Sequence, residues 1–208
     1  MNMKMNFKLL TSAIVLGMAI PAALPLVANA ADTPADTATK SATVDVTGGN
    51  LTFTKDENSK QEAPSFQFKA NVSTAAQTGL KTTGYQNTDA TDTYTGSKLS
   101  VDDDTGTGTG WHVTAQLGDF SDGASHNLAG AALNVNSASG SIADTTTATT
   151  ATLTSGGAAA TVFNAATGKG MGTAATDLSG TTLDLPTAAY AGNYSAALTY
   201  TLTSGPTA

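Results

Sequence analysis

The chain has 208 residues, with nine Lys, no Arg, no Cys, two His and sixteen acidic residues, for a formal net charge of −7. An acidic chain without Arg cannot neutralise a run of phosphates, which excludes a nucleic-acid binder; the absence of Cys excludes a disulfide scaffold and a thiolate metal centre. Only 12% of residues are charged, while 38 are Thr and 21 are Gly, a composition that argues against a charged helical bundle and for an all-β domain of small side chains and many turns.

In chain order, Lys4 and Lys8 precede an apolar run from Leu9 to Leu26, and Ala28-Asn29-Ala30 supplies a small-x-small cleavage site. Residues 1–30 therefore read as a secretory signal peptide rather than a retained anchor, since Pro21 and Pro25 interrupt the apolar run. Cleavage after Ala30 leaves seven Lys against the same sixteen acids, a formal charge of −9. No later segment reaches the roughly 20 apolar residues a membrane helix needs, so the mature chain is expected outside the cell without a transmembrane span. Residues 31–42 are Asp, Thr, Ala, Pro, Lys and Ser without apolar periodicity and read as a flexible leader. The remaining 43–208 suit one domain.

Within that domain, alternation with period 2 predicts strands. Val44-Asp45-Val46 and Leu51-Thr52-Phe53 flank a Gly48-Gly49-Asn50 turn. Phe66, Phe68, Ala70 and Val72 alternate with Gln67, Lys69 and Asn71, and Leu99-Ser100-Val101 follows. Asp102-Asp103-Asp104 and the Thr-Gly repeats to Gly110 form a loop. Trp111, Val113, Ala115 and Leu117 then alternate with His112, Thr114 and Gln116, and Leu133-Asn134-Val135 makes a short strand. In the low-complexity stretch beyond Ser137, Ala151–Thr154 and Ala160–Phe163 are predicted as strands joined by a Gly156-Gly157 turn. Gly168–Gly172 is a loop or bulge, and Leu183-Asp184-Leu185-Pro186 ends a strand. The last strand sets Tyr194, Ala196, Leu198, Tyr200 and Leu202 on one face and Ser195, Ala197, Thr199, Thr201 and Thr203 on the other, closed by Pro206. The expected fold is an all-β sandwich of about nine short strands with Gly/Thr-rich loops.

No enzyme can be built from these residues. His112 sits among Thr and Gln, and His126 in a Ser-Asp-Gly-Ala-Ser loop; no Walker loop or His-Glu-x-x-His motif occurs. A carboxylate pair drawn from Asp102–Asp104, Asp119 and Asp122 has no spacing to single it out. Asp102 and Asp104 are the only metal candidates, but the twelfth position counted from Asp102 is Val113, where a calcium loop needs a carboxylate. A turn with solvated carboxylates is the preferred reading, and no cofactor is expected.

Two motifs stand out together. One is Gly110-Trp111-His112-Val113, preceded by the run from Asp102 to Gly110; the other runs from Tyr194 through Leu198-Thr199-Tyr200 and Leu202 to Pro206. The pair resembles the WxL domain of Gram-positive surface proteins, which carries an Asp/Gly-rich loop leading to a Trp-x-Leu motif and a second aromatic motif near its C-terminus. Gly170-Met171-Gly172 and the strand from Leu183 to Pro186 are similar to the same family's pattern. Val113 stands where the first motif has Leu, and Tyr200 replaces the second Trp, which keeps an aromatic face but loses area.

The resemblance implies non-covalent attachment to peptidoglycan, and assembly with other WxL proteins and a membrane-anchored surface partner. It makes Trp111, Val113, Tyr194, Leu198, Thr199, Tyr200 and Leu202 the candidate contact residues. Trp111 equally suits a core position at the start of its strand, as do Tyr194 and Leu202. A different reading is a structural subunit held in a surface complex by protein contacts alone. Since wall polymers and this chain are both anionic, wall binding is expected to be short-range and neutral.

Overall fold

The computed structural model describes residues 38, 40–85, 94–136, 138–141, 146–186 and 190–206. The expected signal peptide and most of the expected leader lie outside those residues. Thirteen strands and no helix are found among them: β1 Leu51–Phe53, β2 Gln67–Phe68, β3 Gln77–Gly84, β4 Lys98–Asp103, β5 Trp111–Leu117, β6 Ala132–Val135, β7 Ala138–Ser141, β8 Thr146–Ala148, β9 Ala151–Thr154, β10 Ala160–Ala165, β11 Gly172–Asp177, β12 Thr182–Leu185 and β13 Leu198–Ser204. The chain is all-β, as predicted, but the strands outnumber the nine expected and form three antiparallel sheets. Their orders are β1-β4-β11-β7, β13-β5-β10-β8 and β2-β3-β12-β6-β9.

β5 shows how the sequence builds an element. Gly110 and Gly118 bracket seven residues whose odd positions are apolar, and Trp111, Val113, Ala115 and Leu117 are all buried. They meet Leu99 and Val101 from β4, Leu133 and Val135 from β6, Leu153 from β9, and Leu183 and Leu185 from β12 in one core shared by the three sheets. Sheets that bury one face each on a common core give a sandwich-like body. β10 adds two adjacent core residues, Val162 and Phe163, through a register shift between Thr161 and Phe163. The bulge defeats strict alternation and turns both side chains inward.

Several expected elements are corrected. Val44 and Val46 form no strand; every residue from Lys40 to Asn50 is exposed and without regular structure. The strand expected over Phe66–Val72 shortens to β2, because Lys69–Val72 leave the sheet and lie exposed. The Gly156-Gly157 turn closes no hairpin: β9 pairs with β6, while β10 pairs with β5 and β8, so the turn passes the chain from one sheet to another. β3 and β11 arise where no strand was predicted. Regular pairing of the last strand begins at Leu198 rather than Tyr194, although the alternation of half-buried and exposed residues holds from Tyr194 to Thr203.

Candidate functional site

β13 lies beside β5 with Leu198 opposite Leu117, Tyr200 opposite Ala115, Leu202 opposite Val113 and Ser204 opposite Trp111. The two distant motifs thus become neighbouring strands. Cross-strand partners share a face, so Leu198, Tyr200 and Leu202 lean toward the core with Trp111 and Val113. Thr199 points the other way, exposed, beside Gln116.

Trp111 and Val113, both expected as contact residues, have no exposed surface. The indole Nε1–H of Trp111 donates to the Gly170 carbonyl at 3.0 Å, and the ring meets Phe163 edge-on with centroids 5.0 Å apart. Gly170 has φ +80°, and a Cβ there would stand 2.6 Å from the indole nitrogen. At Gly110, φ is +74° and a Cβ would lie 2.5 Å from the Ala165 carbonyl oxygen. Gly168 N–H donates to the Gly108 carbonyl at 2.8 Å, Gly205 N–H to the Gly110 carbonyl at 2.8 Å, and the His112 imidazole to the Gly205 carbonyl at 2.7 Å. The Gly-Trp segment, the Gly-Met-Gly loop and the chain end are therefore one knot of backbone locked around a buried indole. Of the two readings open for Trp111, the structure gives it the core.

Tyr200 is half-buried, and its hydroxyl donates to the Pro64 carbonyl at 2.9 Å; burial pushes the phenol far above its ordinary range. It ties β13 to the segment that leads into β2. Leu202 is half-buried against the core. Asp102 sits within β4 and accepts from the Thr173 hydroxyl at 3.1 Å; Asp103 is buried and accepts from the Thr105 N–H and hydroxyl at 3.0 and 2.6 Å. Asp104, exposed, takes part through its backbone, which accepts from Gly49 N–H at 2.7 Å. These carboxylates shape a turn, and among the described residues no cluster of three or more His, Asp or Glu is set to hold a metal.

The concave feature lies elsewhere. A groove of about 850 Å³ opens between residues 65–72 and residues 190–198, floored by Leu117, Leu133, Leu183 and Leu185. Phe66 and Phe68 stand on one wall with ring centroids 6.4 Å apart, Tyr190 and Tyr194 on the other, and Phe120 also lines it. Asn71, Asn193 and Thr83 supply neutral polar groups, and Lys69 is the one charged lining residue. An acidic chain thus presents a groove lined by no carboxylate.

Each wall is held by its own bonds. Phe68 pairs with Thr82 of β3, and the Gln77 amide donates to the Asn71 carbonyl at 2.7 Å. Ser121 and Ser195 exchange backbone bonds, each at 2.9 Å, and Gly118 N–H donates to the Ala197 carbonyl at 2.8 Å. Tyr194 donates to the Tyr190 carbonyl at 3.1 Å, and the Tyr190 ring stacks on His126 at 4.4 Å. His126 Nδ1–H donates to Asp122 at 2.7 Å. Amides of Ala124 and His126, with that imidazole, hold the Asp122 carboxyl down to about 2 from its ordinary 3.8.

Of the seven expected contact residues, the groove gathers Tyr194 and Leu198 and leaves out Trp111, Val113, Thr199, Tyr200 and Leu202. Sequence reasoning missed Phe120, Tyr190, Asn71 and Asn193 as a group. Their only sequence signal is aromatic and amide residues in segments that break strand alternation. No helix of the described residues is long and apolar enough to cross a membrane. The profile of one protein family, described as WxL domain surface cell wall-binding, matches residues 22–206. No curated protein sequence and no solved structure matches the chain.

Proposed function

Because the chain belongs to the WxL family of surface cell wall-binding domains, we propose that it is exported and attaches non-covalently to peptidoglycan through the groove between residues 65–72 and 190–198. The family places it at the cell surface as a binding domain; the groove supplies the chemistry. Glycan strands offer sugar rings with apolar C–H faces, N-acetyl amides and hydroxyls. A site for them needs aromatic faces, amide donors and acceptors, and no fixed negative charge beside the stem carboxylates. Phe66, Phe68, Tyr190 and Tyr194 provide faces, Asn71 and Asn193 provide amides, and Lys69 faces the carboxylates. The observation that carries this reading is the lack of any Asp or Glu in the lining of a chain with sixteen of them.

Retention on protein-free wall sacculi tests it. Lys69→Ala/Tyr190→Ala/Asn193→Ala should fold normally and lose retention by about tenfold or more, roughly 1.4 kcal/mol. Thr199→Ala/Thr201→Ala, on the opposite face of β13, should retain fully. Undiminished retention of the triple variant would remove the groove from the mechanism. Retention on intact cell surfaces but not on sacculi would instead favour attachment through a protein partner.

A further inference from the structure

β13 ends its sheet: β5 covers one side of it, and no described strand pairs with the other. The bonds from Gly118 N–H to the Ala197 carbonyl and from Gly205 N–H to the Gly110 carbonyl fix which residues face β5. In antiparallel pairing the bonded positions alternate. Residues 197, 199, 201, 203 and 205 therefore face β5, and Leu198, Tyr200, Leu202 and Ser204 turn their N–H and C=O groups to the open side.

Natural edges are kept short, charged or broken by proline. β1, β2, β7, β8 and β9, the other edge strands, have two to four residues; β13 has seven, with neither charge nor proline. The chain also carries the matching half. Thr43-Val44-Asp45-Val46-Thr47 alternates like a strand but pairs with nothing, and Val44 and Val46 are 88% and 83% exposed. Gly49 N–H, bonded to the Asp104 carbonyl, fixes the chain just beyond this segment.

The geometry points to strand donation between copies of this chain: Thr43–Thr47 of one copy adds to the open edge of β13 in another. Val44 and Val46 then join the half-buried row of Leu198, Tyr200 and Leu202, while Thr43, Asp45 and Thr47 continue the outer row of Thr199, Thr201 and Thr203. A second copy is the occupant because the unpaired strand and the unpaired edge belong to the same sequence. β1 comes close to β13 within one chain without pairing with it, so pairing inside a single chain is the competing outcome. This inference is independent of wall binding.

Sedimentation of the purified chain between about 1 µM and 1 mM should show mass rising with concentration. Val44→Asp/Val46→Asp should stay monomeric with an unchanged circular dichroism spectrum. A synthetic peptide of residues 41–49 should bind that variant. N-methylation of Val44 and Val46, or of Asp45 and Thr47, removes the amide donors from one edge of the peptide or the other; one of the two modified peptides should lose binding and the other keep it. A chain monomeric throughout the range overturns the proposal, as it would if the segment paired within its own chain. Equal binding of both modified peptides overturns it too, because capture would then owe nothing to backbone pairing.

Discussion

The conserved-looking residue of the first motif works from inside. Trp111 is spent on the Gly170 carbonyl and the Phe163 ring, with no surface left for a ligand. Gly170 and Trp111 are a matched pair, since the left-handed backbone and the missing Cβ of one make room for the indole of the other. Gly170→Ala should cost about 2–4 kcal/mol, from overpacking and from forcing a side chain into the left-handed region. Trp111→Phe keeps most of the apolar volume but leaves a buried carbonyl without its donor, for about 1–3 kcal/mol. Denaturant midpoints with unchanged slope would read both losses. A Gly170→Ala variant within about 0.5 kcal/mol of the parent, the range of an ordinary surface change, would show that the knot is looser than drawn.

At the scale of elements, strands were legible where their two faces differ. β5 alternates large apolar residues with polar ones, so its span and inward face could both be read. β3, Gln-Thr-Gly-Leu-Lys-Thr-Thr-Gly, offers one apolar side chain, and β11 buries Ala174 and Thr176, neither of which stands out from the surrounding Ala and Thr. Their pairing is imposed by neighbours: β11 by β4, and β3 by β12. The groove was illegible for a similar reason. Its walls are more than a hundred residues apart in sequence, and their aromatics face each other only after the sheets assemble. The loop from Ser121 to Asn127 buttresses one wall through the stack of Tyr190 on His126. Asp122 organises that loop, and its lowered pKa means the carboxylate binds its donors more tightly than the acid does. That contribution is complete above pH 3.8 and fades as pH falls through about 2. Amide resonances of Ala124 and His126 should therefore titrate near 2 and lose their inflection in Asp122→Asn. An inflection at the ordinary 3.8 would mean that the carboxylate is not held as described.

At the scale of the whole molecule, charge decides how attachment responds to its surroundings. The chain carries −7, or −9 without its first thirty residues, and anionic wall polymers repel it at long range. The groove opposes this with a single Lys and otherwise with aromatic faces and neutral amides. Contacts of that kind act at van der Waals and hydrogen-bond distance, where salt has little hold, whereas the repulsion extends over a Debye length and is screened. Added salt should then leave wall retention unchanged or raise it modestly. At about 0.5 M, where the Debye length is only a few ångströms, retention on sacculi should equal or exceed its low-salt value, and Lys69→Ala should lose a fraction of binding that shrinks as salt rises. A collapse of retention at that salt would mean that attachment runs through ion pairs, which the groove's one charged side chain cannot supply, and would move the contact surface away from it.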